Sequence, residues 1–287
     1  MSSNLTTVTV LGAGVLGHQI AFQTAVHGFR VTSYDVDDAA VAAARGRFAD
    51  LAAVYEAEVP AAKGRTQEVL AKLTVTSDLA EAVRDADLVI EAAPELLEVK
   101  QDLYRALSKV LPERTILATN SSTLLPSDLV GSTDRPDRFL ALHFANRIWQ
   151  LNTAEVMGTD STDPAVFDRV VSFAEEIGMV PIPIRKEKAG YVLNSMLVPF
   201  LVSAAQLAAG GYATPADVDK VWTIGTGATL GPFQLLDIIG LTTPYNIFAN
   251  GDETMQQIAT WLKEQYIDRG KLGVSTGEGF YSYGGKQ

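Results

Sequence analysis

The chain has 287 residues and a mass of 30.8 kDa, room for two domains of ordinary size. At 47% hydrophobic and 20% charged its composition is that of a protein with a buried core, which excludes a disordered, collagen-like or disulfide-stapled chain; without cysteine, it has no disulfide, thiolate nucleophile or Cys-based zinc site. A net charge of −11 repels nucleic acid phosphates and anionic membrane surfaces, so neither is an expected partner.

The polar start, residues 1–7, lacks the basic region and cleavage site of a secretory signal, and with the absent cysteines this gives a cytoplasmic expectation. Residues 7–11 (TVTVL) alternate like a strand, LGAGVLG interrupts them, and residues 15–26 carry apolar positions at helical spacing. Gly28 closes that helix, and residues 29–34 read as a second strand ending in Asp35, which completes a βαβ unit with parallel strands. An Ala-rich helix over 38–58, a strand at 73–76, a short helix near Leu79 and a buried strand at 88–92 continue the alternation. Further on, 99–111 reads as helix, 115–118 and 139–143 as strands, 164–177 as helix, and 179–184 as an apolar run.

After the charged cluster 185–188 the strand signal gives way to long helices, with Pro215 and Gly231-Pro232 at helix starts. The order predicts an α/β fold in which a Rossmann-type doubly wound, mostly parallel sheet (1–186) precedes an all-helical C-terminal domain (187–287). Residues 189–216 hold no charge, but Asn194, Ser195, Pro199, Ser203 and Gln206 interrupt them, which disfavours a membrane span. Since 192–209 is apolar nearly all round, a second copy of the chain is the expected cover, and the assembly expected is a homodimer through the C-terminal domain.

Gly12, Gly14 and Gly17 form G-x-G-x-x-G, a weak signal alone, but here it follows a strand, opens a helix and is followed by Asp35 at the end of the next strand. Gly12 permits the tight turn, Gly14 lets backbone approach a pyrophosphate, and Gly17 lets helix and strand pack closely. The pyrophosphate then lies on the helix N-terminus that Val15 and Leu16 open, and Asp35 accepts hydrogen bonds from a ribose with free hydroxyls. Asp35 would repel a 2′-phosphate and no Arg follows it, so NAD is favoured over NADP; a flavin, or a turn that binds nothing, are the other readings of the loop.

Of the three histidines, His18 and His27 lie on the dinucleotide helix and read as structural or surface residues. His143 closes a strand on the carboxyl edge of the sheet, where open α/β folds bind ligands, and Glu155 follows in another apolar stretch, 154–157. An imidazole with a carboxylate in reach is a base of fixed tautomer. On this argument alone, a strand-end histidine bonded to backbone is an equal reading. No metal site is indicated.

Several separated motifs make the chain resemble the L-3-hydroxyacyl-CoA dehydrogenase family over nearly its whole length: Glu91-Ala92-Ala93-Pro94-Glu95 with Lys100, Asn120-Ser121-Ser122-Thr123, Leu142-His143-Phe144, Glu155-Val156, Gly190 with Asn194 and Leu197-Val198-Pro199, Gly231-Pro232-Phe233, and the closing Thr276-Gly277-Glu278-Gly279-Phe280-Tyr281. The resemblance implies NAD-dependent interconversion of a short L-3-hydroxyacyl-CoA and its 3-oxo form. By it His143 is the base, Glu155 orients it, Ser122 and Asn194 bond the substrate oxygen, and Ala92, Glu95, Lys100 and Asn120 line the cofactor cleft. The chain departs from the family at Ala145-Asn146-Arg147-Ile148-Trp149, where Asn-Pro and a second Pro are usual, and at Ser195, where Arg is customary. Asp50, Glu56 and Glu58 also make the helix over 38–58 acidic where hydroxyl and Lys residues usually meet CoA phosphates. A small 3-hydroxy acid, alcohol or ketone without CoA is therefore the alternative substrate, with Arg147 available to a carboxylate; a dinucleotide-binding protein without turnover is the third reading.

Overall fold

The computed structural model describes residues 2–284; Met1 and residues 285–287, which the domain expectation also takes in, lie outside the described residues. The chain divides into two compact units, 1–192 and 193–287. The first holds eight strands: β1 (Thr7–Leu11), β2 (Arg30–Tyr34), β3 (Thr74–Thr76), β4 (Leu88–Glu91), β5 (Ile116–Thr119), β6 (Phe139–Phe144), β7 (Thr153–Gly158) and β8 (Val180–Ile184). Its helices are α1 (Gly17–Val26), α2 (Asp38–Glu58), α3 (Thr66–Lys72), α4 (Leu79–Val83), α5 (Leu97–Leu107), α6 (Pro126–Leu129) and α7 (Pro164–Glu176).

The sheet order is β3-β2-β1-β4-β5-β6-β7-β8, parallel at every pairing except β6 with β7. The expected doubly wound sheet is thus the one found, with its switch of direction between β1 and β4. Each inner strand is buried on both faces because helices cover both: α1, α2 and α7 pack on Val8, Val10, Ile90 and Leu142, while α4, α5 and α6 pack on Leu11, Val89, Leu117 and Phe139. Aspartates cap the helices the sequence starts there, since Asp37, Asp78 and Asp163 each accept a first-turn N–H of α2, α4 and α7. The apolar stretch 154–157 lies within β7, the antiparallel strand, and 66–72 forms α3, a helix that sequence spacing did not separate from the loop around it.

The second unit comprises α8 (Leu193–Ala209), α9 (Pro215–Thr226), α10 (Pro232–Ile239), α11 (Thr242–Ala249) and α12 (Glu253–Gln265). Leu201, Ala205, Phe233, Leu236, Phe248, Ile258 and Leu262 form its core. Two buried carboxylates tie it together. Asp219 on α9 accepts the N–H groups of Phe233 and Gln234 at the start of α10 and the Tyr281 hydroxyl. Asp237 accepts the N–H groups of Phe280 and Tyr281 and the Tyr283 hydroxyl. This accounts for the closing Gly-Phe-Tyr motif, because a Cβ at Gly279 would collide with the Asp237 carboxylate. Burial pushes the Asp237 carboxyl up, and the three hydrogen bonds only partly oppose that. Among the described residues no helix is long and apolar enough to cross a membrane.

Candidate active site

The glycine loop follows β1 and shows why each glycine stands there. Gly12 has φ +90°, and a Cβ on it would lie 2.7 Å from the Ala92 carbonyl oxygen at the end of β4. At Gly17 a Cβ would collide with the Gly12 carbonyl, whereas at Gly14 nothing lies within 4 Å, leaving that face open to a ligand. No side chain caps α1 at Leu16, so the amides at its start have no side-chain acceptor, and Val15 is 70% exposed beside them. Asp35, one residue past β2, accepts from Ala13 N–H at 3.0 Å and Val36 N–H at 2.9 Å, which fixes its carboxylate over the loop. An open glycine cradle, uncapped helix amides and a fixed ribose acceptor fit a dinucleotide.

Two further side chains border this loop: Arg47, which sequence reasoning left unassigned, and His18, which it read as structural or surface. Arg47 on α2 donates to the Ala13 carbonyl at 3.1 Å. His18 bonds the Gly14 carbonyl through Nδ1 at 2.6 Å, and burial, with the nearby Arg47 charge, lowers its pKa despite that bond. Arg45 and Arg47 also moderate the charge of α2, whose Glu56 and Glu58 are occupied: Glu56 by Gly64 N–H and Thr66, Glu58 by Trp149 and Gln150.

The β6–β7 pairing sets His143 directly opposite Glu155. Directly opposed residues on one face of an antiparallel pair have adjacent side chains, and Glu155 Oε2 lies 3.0 Å from His143 Nδ1, with both side chains about 95% buried. The other carboxylate oxygen accepts Val192 N–H at 2.8 Å, which keeps the carboxylate from rotating away. An ionised carboxylate only accepts, so Nδ1 carries the proton and Nε2 presents its lone pair. Ser122 Oγ stands 3.0 Å from Nε2.

Ser122 reaches that point because Glu95 organises its loop. The Glu95 carboxylate accepts from the Ser121 hydroxyl at 2.5 Å, Ser122 N–H at 2.9 Å, and both the N–H and hydroxyl of Thr123 at 2.8 Å. Burial alone would push Glu95 up, but these donors and the Lys100 charge outweigh it and hold the carboxyl at about 2. Lys100 is itself 1% exposed and donates to Glu91 Oε1 at 2.5 Å and to the Ala93 carbonyl at 3.2 Å, with Glu95 Oε2 at 3.3 Å. Glu91 also accepts from Tyr104 and Thr119, a fully buried network under the β4 and β5 strand ends. Burial first, and then the Glu91 charge, keeps the Tyr104 phenol protonated. Asn120 Oδ1 accepts Phe144 N–H at 2.9 Å and so ties β5 to the end of β6.

Tyr191 also meets the histidine. Its ring stacks on His143 with centroids 4.3 Å apart and planes 17° apart, and its hydroxyl donates to the Ser121 carbonyl at 2.7 Å. Sequence reasoning missed it. The available signal was an aromatic just past Gly190, and both residues have positive φ, +77° and +54°. Asn194 is on α8 and belongs to the second unit.

A dinucleotide loop, and on the same edge of the sheet a histidine held between a carboxylate and a serine hydroxyl, define an NAD-dependent oxidoreductase acting on CH–OH groups. Residues 7–188 match the family described as 3-hydroxyacyl-CoA dehydrogenase, NAD binding domain, and residues 190–283 match its C-terminal domain. The chain belongs to the 3-hydroxyacyl-CoA dehydrogenase family. It is 34% identical over 285 residues to the mitochondrial hydroxyacyl-coenzyme A dehydrogenase of Sus scrofa, covering 96% of this chain and 90% of that one. It is 32% identical over 301 residues to the 3-hydroxybutyryl-CoA dehydrogenase of Mycobacterium tuberculosis, covering 99% and 100%. Among solved structures, a diketoreductase described by its substrate-directed dual catalysis of dicarbonyl compounds superposes with a TM-score of 0.95 at 61% identity, covering 97% of this chain and 99% of that one.

Proposed function

We propose that the protein interconverts a secondary alcohol and a ketone in a small 1,3-dicarbonyl compound that carries no CoA, with His143 as general base for oxidation and general acid for reduction. The observation that supports the chemistry is the Ser122–His143–Glu155 chain, with both contacts at 3.0 Å. Bound NAD supplies the hydride acceptor and, when reduced, the donor. His143 takes the hydroxyl proton at Nε2; Glu155 holds Nδ1–H and stabilises the imidazolium that results. Ser122 hydrogen-bonds the substrate oxygen where charge develops. Glu95, Lys100 and Asn120 hold the loops beside the cofactor site, and Gly12, Gly14, Val15, Leu16, Gly17, Asp35 and Ala92 form that site. For Asn194 the support is family resemblance alone.

On the substrate, 61% identity to a diketoreductase outweighs 32–34% identity to CoA-dependent relatives. The names of those relatives favour a second reading, an L-3-hydroxyacyl-CoA substrate. Steady-state NADH oxidation with acetoacetyl-CoA against pentane-2,4-dione and methyl acetoacetate separates them. A kcat/KM for the thioester above that of both small compounds would sink the first reading.

We also propose a homodimer formed through the C-terminal domain. Two helices support it: α8 buries only Leu201, Ala204 and Ala205 and leaves Met196 63% and Leu207 45% exposed, and α9 leaves Val221 74% and Ile224 78% exposed.

A further inference from the structure

The segment joining β6 to β7 departs from the family pattern at residues 145–149, and its backbone is firmly fixed. Arg147 has φ +61°, a left-handed conformation that costs a non-glycine residue about 1 kcal/mol. Three hydrogen bonds hold it there: its N–H donates to Gln19 Oε1 at 2.9 Å, and its carbonyl accepts Gln150 N–H at 2.8 Å and Leu151 N–H at 2.9 Å. Ile148 is fully buried next to it, and Trp149 and Gln150 both donate to Glu58 on α2, at 2.7 and 2.6 Å. A glycine would adopt this backbone without strain, so what Arg147 contributes is its side chain.

That side chain is exposed and donates to no acceptor among the described residues, in a chain of net charge −11. Its position is set from both sides. It follows the last residue of β6 by three peptide units, at most about 11 Å of chain, and its amide is bonded to Gln19 in the first turns of α1. Arg147 therefore stands between the strand that carries His143 and the helix that opens the cofactor site. A guanidinium carried on that fixed backbone, with no acceptor taken up among the described residues, can pair with a planar oxyanion in bidentate fashion.

We propose that Arg147 recognises a carboxylate on the substrate, so that the compound turned over is a short 3-oxo or 3-hydroxy carboxylate; this rests on the small-dicarbonyl reading above. The test compares acetoacetate with its neutral methyl ester, using NADH. Arg147→Gln raises KM for acetoacetate by about 10- to 100-fold, the scale of a lost charge-assisted pair, and leaves KM for methyl acetoacetate and NADH within about twofold. Arg147→Lys recovers part of the loss, because an ammonium cannot pair bidentately. Arg147→Gly, which relieves the backbone strain, keeps the melting temperature and shows the same loss for the acid. An equal loss for acid and ester, or a rise in KM for NADH, overturns the assignment. Preference of the unaltered enzyme for acetoacetyl-CoA over both compounds overturns instead the reading beneath it.

Discussion

The ring of Tyr191 lies nearly parallel to the imidazole of His143, with their centroids 4.3 Å apart. An aromatic face against an imidazole contributes about 0.5–1.5 kcal/mol beyond simple burial, and the hydroxyl bond to the Ser121 carbonyl fixes the ring in the plane where it blocks rotation of His143. Tyr191 is thus a positioning residue. Tyr191→Ala is expected to lower kcat by about 10- to 100-fold, the cost of misplacing a reacting group by about 1 Å, with KM for NADH unchanged. Tyr191→Phe keeps the stack and should recover most of that rate. Equal kcat in all three proteins would mean that the stack has no part in catalysis.

The His143–Glu155 pair predicts a tautomer effect. Glu155 uses both oxygens, one for His143 Nδ1 and one for Val192 N–H. In Glu155→Gln the single amide oxygen stays with Val192 N–H, so the amide NH₂ faces Nδ1 and forces the proton onto Nε2. The lone pair needed at Nε2 is then gone, and kcat for oxidation should fall about 100-fold or more, as it should in His143→Gln. Because both variants disable one unit, the double variant should be little worse than either single one. Additive losses in rapid-quench measurements would show that the two residues act independently.

How much of this was legible in the sequence depends on whether the signal is local. The glycine loop and Asp35 were readable because strand, turn and helix are consecutive; of the contacts that explain the glycines, that of Gly17 with the Gly12 carbonyl is local, whereas the approach of Gly12 to Ala92 needs β4 in place and Gly14 faces open space. β7 was not recognised as a strand because Ala154-Glu155-Val156-Met157 is buried throughout, so the period-two alternation that marks a half-exposed strand is missing. Glu91, at the end of a fully apolar strand, meets Lys100, Tyr104 and Thr119 only once β4, α5 and β5 are assembled. The α8 helix looked apolar all round, but its own unit covers one face and α9 carries the more exposed apolar side chains.

In the proposed site cofactor choice follows from Asp35, whose carboxylate is held at the glycine loop by two backbone donors. Asp35→Ala removes both the ribose acceptor and the repulsion of a 2′-phosphate, so the ratio of kcat/KM for NADH to that for NADPH should drop at least about tenfold, or about 1.4 kcal/mol. Val36→Arg in that background, at a position already 74% exposed, should shift it further toward NADPH. Unaltered use of both cofactors by the unmodified enzyme would remove Asp35 from the ribose.

Glu95 links acid stability to the loop that carries Ser122. Its carboxyl is held at about 2 against an ordinary 4.5, so folding favours the ionised form. The stabilisation is therefore fully present above about pH 4.5 and is lost as the pH falls through about 2. Its side chain is 36% exposed, and after discounting for solvent screening the contribution is about 1–2 kcal/mol. Against Glu95→Gln, the unmodified enzyme should melt several degrees higher at pH 6–7, with the gap closing below about pH 4. A gap independent of pH would mean that shape, not charge, carries the contact.

Assembly can be tested on α9, where Asp219 is the one buried residue and Val221 and Ile224 project three positions apart, on one side of the helix. Two such side chains with Tyr212, 82% exposed on the preceding turn, present apolar surface that the described residues leave open to water. A two-fold contact places the same patch on both copies and covers it twice. A stable dimer requires about 800 Å² from each partner, which α9 can supply only together with its neighbours, so single changes should weaken the contact and paired ones break it. In analytical ultracentrifugation the unmodified protein should sediment at twice its 30.8 kDa. Val221→Asp with Ile224→Asp should sediment at that mass alone, since each dimer would then bury four carboxylates without partners. Both side chains are exposed in the isolated chain, so the double variant should keep its melting profile at low protein concentration, where a folding defect would show itself. Sedimentation of the unmodified protein as a monomer at micromolar concentration would leave α9 as an ordinary solvated helix and end the dimer proposal.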